Sequence, residues 1–486
     1  MLRATKPILV TFLFGTSRQA GGVWDKIGSM KRDLALEKAK KVGQEVDLYG
    51  WVNTRRDHGK IIFLDLRDSS GLVQVVTTPK NEVAYEIANN LSSEDVVHIV
   101  GKVGSRPKEN INPDLPAGKI EVVASKIELV GKAKELPIPI EGDGYEIEEL
   151  TRYKYRYIDL RRERLQKNLK LRHALVKLIH EFLDEEDFIE VETPYLSKTT
   201  PEGARDFIVP SRLQKGKFYA LAQSPQQYKQ LLMIAGFERY YQIARAFRDE
   251  DLRADRQFEH TQIDLEMAFV EREDVMGLVE QMVIKVFEGL GKKLAKKPFP
   301  ILSYKEAKEK YDTDRPNLSK KKDELHFLWV VDFPLFEKTK EGTYTFAHNP
   351  FASPKPEHAK DLMEKNNLDN LESLQYDLVC NGEEVGGGSI RISDPLVQRQ
   401  IFRVMGYSDR EIEKEFGHLL SAYKYGAPVH GGIALGLDRL AAIVAGEDNI
   451  REVIAFPVAS SGQTSVMDAP SEVDNEQLRE LGVKRG

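Results

Sequence analysis

Few folds accommodate the residues between Phe247 and Glu266 of this 486-residue chain. Two apolar, alternating stretches flank a loop that carries both signs of charge. They read Phe247-Arg248-Asp249-Glu250-Asp251, then Arg253, Asp255 and Arg256, then Phe258-Glu259-His260-Thr261-Gln262-Ile263-Asp264-Leu265-Glu266. Period-two alternation marks strands, so the pattern predicts an antiparallel hairpin with a charged turn. Gln262, Asp264 and Glu266 then share one face of the second strand, and Arg248 lies on the facing strand. On a solvated face such charge is ordinary. Buried, an arginine opposite a row of polar groups is costly unless a ligand completes the pairing.

The rest of the chain narrows the fold further. Alternating or apolar runs at 46–52, 60–68, 72–76, 96–100 and 120–123 read as five short strands, with a helical stretch at 81–91 between the third and fourth. That count suits a small closed β-barrel of the oligonucleotide-binding type at 30–135. Leu136-Pro137-Ile138-Pro139-Ile140 opposes both helix and central strand, so 136–165 is expected to be a linker. Beyond it, strands and helices mix without a regular βαβ rhythm, which predicts an antiparallel α+β domain over 166–486. Charge excludes one easy reading. With 71 basic and 77 acidic side chains the formal charge is −6, so a polyanion partner would have to meet a local basic surface. A single cysteine, Cys380, excludes an internal disulfide and a cysteine-rich zinc site and fits a reducing, cytoplasmic compartment. Residues 1–29 hold an apolar run, 8–14, at the minimum length of a secretory signal and far too short to span a bilayer. They are expected to be a dispensable extension or a start assigned too early, Met30 opening the first amphipathic stretch.

Two further constellations carry chemistry. Tyr376-Asp377 and Glu384-Val385-Gly386-Gly387-Gly388-Ser389-Ile390-Arg391 bring two carboxylates and three successive glycines together in sequence. Asp377 and Glu384 suit one hard divalent cation, and glycines let a strand approach a ligand closely, although the same glycines also fit a plain hairpin turn. His430-Gly431-Gly432-Ile433-Ala434-Leu435-Gly436-Leu437-Asp438-Arg439 reads as a strand running into a helix with Arg439 in its first turn. A helix N-terminus and an arginine together favour phosphate.

Taken in order, Pro194, Phe-Arg-Asp-Glu at 247–250 and Gly-Leu-Asp-Arg at 436–439 resemble the three motifs of class II aminoacyl-tRNA synthetases. Thr200-Pro201-Glu202-Gly203-Ala204-Arg205-Asp206, Gln223-Ser224-Pro225-Gln226 and Glu384–Arg391 resemble the bacterial type of aspartyl-tRNA synthetase, from about Met30 to Pro470. The resemblance implies ATP-dependent activation of L-aspartate, then transfer of the aspartyl group to the 3′ end of tRNA(Asp), by a cytoplasmic homodimer whose interface surrounds Pro194. It implies that Arg248 binds the α-phosphate, Arg439 the γ-phosphate and Glu250 the adenine, as catalytic residues, with Gln262, Gly436 and Asp438 completing the ATP pocket. Asp377 and Glu384 would hold Mg²⁺, Glu384 also lying against ATP. Arg391 and Lys229 would meet the side-chain carboxylate of aspartate, and Glu202, Gln226 and Asp264 its ammonium, with Ser224 and His348 beside them. In the barrel, Phe63 would stack on an anticodon base, Gln74 and Glu121 would read base edges, and Arg56 would lie near the backbone with His58 beside it.

Three departures from that pattern stand out. The extra domain that bacterial members carry between the second and third motifs is reduced here to a bridge at about 298–325. Where the family often shows two histidines, this chain has His348-Asn349. His58, in Arg55-Arg56-Asp57-His58-Gly59, resembles members of relaxed specificity that charge tRNA(Asn) as well. The alternatives are an asparaginyl or lysyl enzyme, a catalytically dead RNA-binding relative, and a stand-alone ATP-dependent amide ligase. The intact Gly-Ala-Arg-Asp and Gly-Gly-Gly-Ser-Ile-Arg strings, the retained arginines and carboxylates, and the retained barrel weigh against them in turn.

Overall fold

The computed structural model describes residues 32–113, 115–200, 203–321, 324–464 and 466–484. The extension at 1–29 and Glu202 lie outside them. The chain divides into two units, Met1–Pro137 and Ile138–Gly486.

In the first unit, strands β1 (Glu45–Asp57), β2 (Ile62–Asp68), β3 (Gly71–Thr77), β4 (Val96–Ser105) and β5 (Ile120–Gly131) close a barrel in the order β1-β2-β3-β5-β4. The alternation in sequence sorts each strand: Ile62, Leu64 and Leu66 fill the interior with Val73, Val75, Val97 and Ile99, while Phe63, Asp65 and Arg67 face outward. The helix Glu82–Asn89 sits between β3 and β4, with the Asn81 side chain accepting from the Ala84 N–H at its start.

The second unit is built on an eight-stranded sheet in the order 301–303, 327–331, 375–380, 383–390, 430–436, 259–268, 239–247, 189–190. The six central strands are antiparallel, as the missing βαβ rhythm predicts. The two short edge strands pair in parallel. One face carries the core: Ile263, Leu265, Tyr376, Leu378, Ile433 and Leu435 pack against helices Glu163–Glu185, Arg272–Gly289 and Leu437–Ala445. The opposite face carries the alternate, polar residues of the same strands, and helix Gln226–Ile234 packs over it, burying Lys229 and Gln230.

Two expectations change. Of the segment expected as a linker, 138–165 belongs to the second unit. Asp159 accepts from Arg152 (3.1 Å), Arg156 (2.7 Å) and Arg162 (2.7 Å), all buried, and Arg156 also donates to the Arg451, Ile454 and Ala455 carbonyls. Prolines oppose helix only locally. Desolvated Arg156, on these carbonyls, and Arg152, on Glu452, anchor the segment to the C-terminal region, while Arg162 ties it to its own Pro139 and Glu141 carbonyls. The bridge at 298–325 is likewise no bare connector. It adds the edge strand Ile301–Ser303 and the helix Tyr304–Tyr311, whose Ala307 packs on Leu328, Val330 and Phe333. Among the described residues no helix is long and apolar enough to cross a membrane.

Candidate active site

The polar face of the large sheet opens into a cavity of about 350 Å³. Its inner end is a buried ionic cluster. Period two places Gln262, Asp264 and Glu266 in one row on the 259–268 strand, with Ile263, Leu265 and Met267 turned into the core. Arg391 donates from Nε to Glu266 Oε1 (2.9 Å), from Nη2 to Oε2 (3.3 Å), from Nη1 to Ser389 Oγ (2.8 Å) and from Nη2 to the Gly432 carbonyl (3.2 Å). Lys229 Nζ lies 3.0 Å from Asp264 Oδ1 and 3.2 Å from Glu266 Oε2. These contacts take four of the five Arg391 N–H groups, so one Nη1 N–H has no protein acceptor among the described residues. The two cations meet at Glu266 Oε2. Gly432 makes this approach possible, because a Cβ there would lie 2.1 Å from that oxygen.

The electrostatics follow from burial. Burial pushes the Asp264 carboxyl up to about 6, against the pull of Lys229. Burial acts on Glu266 in the same sense, yet Arg391 and Lys229 outweigh it and hold its pKa below the ordinary carboxylate value. Beneath the cluster, Gln226 Nε2 donates to Gln230 Oε1 (3.1 Å), and the Gln230 amide reaches Tyr423 OH (3.0 Å) and His430 Nε2 (3.2 Å). Burial keeps His430 below its ordinary pKa. Its Nδ1 faces the Pro428 carbonyl at 2.8 Å, so the neutral ring donates there and accepts from Gln230.

The outer end of the cavity is cationic. Arg248 makes one hydrogen bond, from Nε to the Gln223 carbonyl (3.4 Å), which leaves its Nη groups without a protein acceptor among the described residues. Arg439, in the first turn of helix Leu437–Ala445, donates to the Glu384 carbonyl (2.6 Å) and to Asp255 (3.2 Å). Glu250 pairs with Arg256 at 3.1 Å. Asp438 lines the wall with both oxygens engaged, one by Arg172 and one by the Thr261 N–H (2.8 Å). That pairing ties the start of the helix to the neighbouring strand. His260 sits between the arginines. Burial, then Arg248 and Arg439, push its pKa down to about 3, so it is a neutral ring in a positive field.

The two carboxylates meet through a bulge. Leu378 pairs with Gly386 but Val379 with Glu384, and the extra residue, Val385, turns into the core. Without it, period two would set Glu384 on the face opposite Gly387; with it, Asp377 Oδ1 and Glu384 Oε1 lie 3.0 and 3.5 Å from where a Gly387 Cβ would be. Burial and the Glu384 charge drive the Asp377 pKa well up. Asn349 donates to Gln375 Oε1 (3.0 Å), and Gln375 donates to Asp377 Oδ1 (2.8 Å). The position where the family often shows a second histidine thus holds a non-titrating donor. His348 lines the cavity 3.9 Å from Asp377, its ring 4.4 Å from Phe333.

On the barrel, β1–β2 register sets Arg56 opposite Phe63, and β2–β3 register sets Asp65 opposite Gln74. β3 and β5 run in parallel with Val75 opposite Val122, which brings Gln74 and Glu121 to neighbouring strands. Phe63 is half-buried on the outer surface, edge-on to His58 at 5.6 Å. Arg56 forks onto Asp65 at 2.6 and 2.9 Å.

Of the residues singled out in the sequence, Ser224, Gln226, Lys229, Arg248, Glu250, Gln262, Asp264, His348, Glu384, Arg391, Gly436, Asp438 and Arg439 line this one cavity. Asp377 lies behind Gly387, and Glu202 falls outside the described residues. Four residues of the site carry no role from the sequence motifs: His260, Glu266, Gln375 and Asn349. Period two on the 259–268 strand is the available signal for the first two, since 260 and 266 share the face of 262 and 264.

Comparison with known proteins places both units. Residues 148–460 match the family described as tRNA synthetases class II (D, K and N), and residues 46–130 the OB-fold nucleic acid binding domain. The aspartate–tRNA(Asp/Asn) ligase of Caldanaerobacter subterraneus subsp. tengcongensis is 40% identical over 590 aligned positions, covering 95% of this chain and 99% of that protein. More than a hundred of those positions have no residue in a chain of 486. The aspartate–tRNA ligase of Macrococcus caseolyticus is 38% identical, covering 91% of this chain and 96% of its own. Among solved structures, the asparaginyl-tRNA synthetase of Pyrococcus horikoshii with asparaginyl-adenylate superposes with a TM-score of 0.71 at 25% identity, covering 88% of this chain and 98% of that one.

Proposed function

This chain belongs to the class II aminoacyl-tRNA synthetases of the aspartyl, lysyl and asparaginyl group, and we propose that within it the protein is an aspartate–tRNA ligase. The observation that carries the reading is the convergence of two buried cations, Arg391 and Lys229, on Glu266 at the wall of the cavity, with one Arg391 N–H lacking a protein acceptor among the described residues. Two converging donors match the two oxygens of an aspartate side chain. An asparagine amide offers one acceptor and turns its own NH₂ on the other donor, which a buried site rejects strongly. Asp264, a carboxylate above about pH 6, together with Gln226 and Glu202, would receive the substrate ammonium.

Activation follows along the cavity. The α-carboxylate of aspartate attacks the α-phosphorus of ATP, and pyrophosphate leaves to form aspartyl-adenylate. Arg248, whose Nη groups have no protein acceptor among the described residues, offers its fork to the α-phosphate, and Arg439 at a helix N-terminus offers charge to the γ-phosphate. Glu250 and Gln262 would contact the nucleotide. Neutral His260 donates or accepts a hydrogen bond without adding charge. The terminal ribose hydroxyl of tRNA then attacks the adenylate carbonyl and AMP departs. Positioning and charge neutralisation supply the catalysis.

Mg²⁺ fits Asp377 and Glu384. Both are hard oxygen donors facing one point beside Gly387, and the like-charge repulsion at Asp377 is what a cation relieves. Among the described residues no group of three or more His, Cys, Asp or Glu could hold a metal, so ATP oxygens and water would complete the shell. Bound there, Mg²⁺ would neutralise phosphate charge.

On the barrel, Phe63, with Arg56, Gln74 and Glu121 around it, would take the anticodon by stacking and edge contacts. His58 beside Phe63, and the Asp/Asn naming of the Caldanaerobacter relative, support charging of tRNA(Asn) as well as tRNA(Asp). We place the enzyme in the cytoplasm as a homodimer joined around Pro194, where Ile189, Tyr195 and Leu196 are exposed. The test is aspartylation of purified tRNA(Asp) and tRNA(Asn) transcripts side by side. Charging of both is expected; charging of tRNA(Asp) alone refutes the relaxed reading, and charging of neither refutes the ligase. Phe63→Ala should leave aspartate-dependent ATP–pyrophosphate exchange intact while charging weakens; a parallel fall in exchange would overturn the stacking role.

A further inference from the structure

The segment 292–321 departs in charge from the rest of the chain. It holds ten lysines and arginines against four carboxylates, a net +6 where the whole chain is −6, which leaves −12 elsewhere. Four of its carboxylate contacts are local or to Glu288: Lys297 pairs with Glu288, Lys305 with Glu309, Lys308 with Asp314 and Lys310 with Glu306. Lys293, Lys296, Arg315, Lys320 and Lys321 are exposed and have no carboxylate partner among the described residues.

The fold gathers four of these cations, Lys293, Lys296, Lys320 and Lys321, at one edge of the sheet. Leu294 bridges Leu325, with the Ala295 N–H donating to the Leu325 carbonyl at 2.9 Å, so Lys293 and Lys296 lie beside Leu325. Ser319 Oγ donates to the Lys321 and Glu324 carbonyls (2.6 and 3.2 Å), which places Lys320 and Lys321 close to Glu324 and so to the same end. The same segment reaches the active site. Tyr304, first residue of the helix, packs on Phe333 (5.2 Å), and Phe333 packs on His348 (4.4 Å), which lines the cavity. The helix 304–311 of this basic segment is therefore two ring contacts from the cavity, on a protein whose remaining residues sum to negative charge.

We propose that Lys293, Lys296, Lys320 and Lys321 form a phosphate-binding strip for the acceptor arm of the tRNA, holding its backbone beside the cavity without reading sequence. The strip deepens the aminoacylation reading and rests on it. Exposed lysines with no carboxylate partner among the described residues suit a regularly charged backbone. Helical RNA offers one because its narrow major groove leaves phosphates and sugars as the contact surface.

The test combines four neutralisations, Lys293→Gln, Lys296→Gln, Lys320→Gln and Lys321→Gln, in the full-length enzyme. Aspartate-dependent ATP–pyrophosphate exchange needs no tRNA; its presence in the parent upholds the ligase reading whatever the strip does. In the variant, exchange should be unchanged, the KM for tRNA should rise about tenfold or more, and the slope of log kcat/KM against log salt should flatten by about 3.6, near 0.9 for each of the four phosphates no longer neutralised. An unchanged tRNA KM with an unchanged salt slope overturns the proposal. If exchange also falls, the two pairs 293/296 and 320/321 are assayed separately, and absence of a tRNA effect in both overturns it equally. Anionic phosphatidylserine vesicles give the remaining arm: weaker vesicle binding with normal tRNA kinetics would assign the strip to a membrane surface and refute the RNA assignment.

Discussion

Arg391 serves folding and substrate at once, and the two roles can be separated by a double-mutant cycle. Four of its five N–H groups are spent on Glu266, Ser389 and the Gly432 carbonyl, all buried. Arg391→Leu leaves the Glu266 carboxylate facing Lys229 alone, and breaking a buried pair costs about 3–5 kcal/mol of stability. Adding Glu266→Gln removes the stranded charge, so the double variant should recover most of that loss. Activity should not follow. The one N–H left for substrate is a charged hydrogen bond worth about 1.5–3 kcal/mol, or about 10- to 150-fold in kcat/KM for aspartate at about 1.36 kcal/mol per decade. Urea unfolding reads the first quantity and aspartate-dependent ATP–pyrophosphate exchange the second. Exchange that returns in the double variant together with stability would overturn this division of roles, because Arg391 would then act only through packing. Parent-level exchange in Arg391→Leu would overturn it more directly.

Further outcomes follow from the same geometry. Because Asp264 titrates near 6, its negative charge is lost as pH falls through 6, so KM for aspartate should rise about tenfold per unit below that point, and Asp264→Asn should flatten the profile. Its folded pKa lies above the unfolded value of about 3.9, so its contribution to stability is present below about 3.9 and lost as pH rises through 6; acid unfolding of this group cannot mimic the KM effect, and a flat KM from about pH 7 to 5 would refute the assignment. Gly432→Ala forces a Cβ to 2.1 Å from Glu266 Oε2 and the Leu265 carbonyl, so a drop of at least about 1–3 kcal/mol in urea unfolding is expected, with loss of exchange; a neutral substitution would mean the strands are spaced more widely. Arg172→Leu removes the partner that holds Asp438 against Thr261. Its ATP KM should rise severalfold, with Arg172→Lys restoring most of it, and equal effects of the two substitutions would reduce Arg172 to a packing role.

Much of this protein is legible in the local chemistry of its sequence. Alternation alone separates Ile263 and Leu265 from Gln262, Asp264 and Glu266, because a strand has only two faces. The five barrel strands and the antiparallel character of the larger sheet follow from the same period and from the missing βαβ rhythm. What stays hidden depends on residues distant in sequence. The prolines at 137 and 139 announce a linker, yet Asp159 and the 451–455 carbonyls capture three arginines and fold 138–165 into the catalytic unit. Strict period two sets Glu384 on the face away from Gly387, and only the bulge at Val385 turns it toward Asp377.

Residue type and a fixed backbone period suffice to set which side chains are available at each strand face and where charge accumulates, and both can be read along the chain. Which of those charges face each other is settled by tertiary assembly. Arg391 is 125 residues from Glu266 along the chain, and Lys229 comes from a helix laid over the polar face of the sheet. Pairing across such separations is set by strand order and register, and an ion pair acquires its strength from the burial that only the assembled sheet provides.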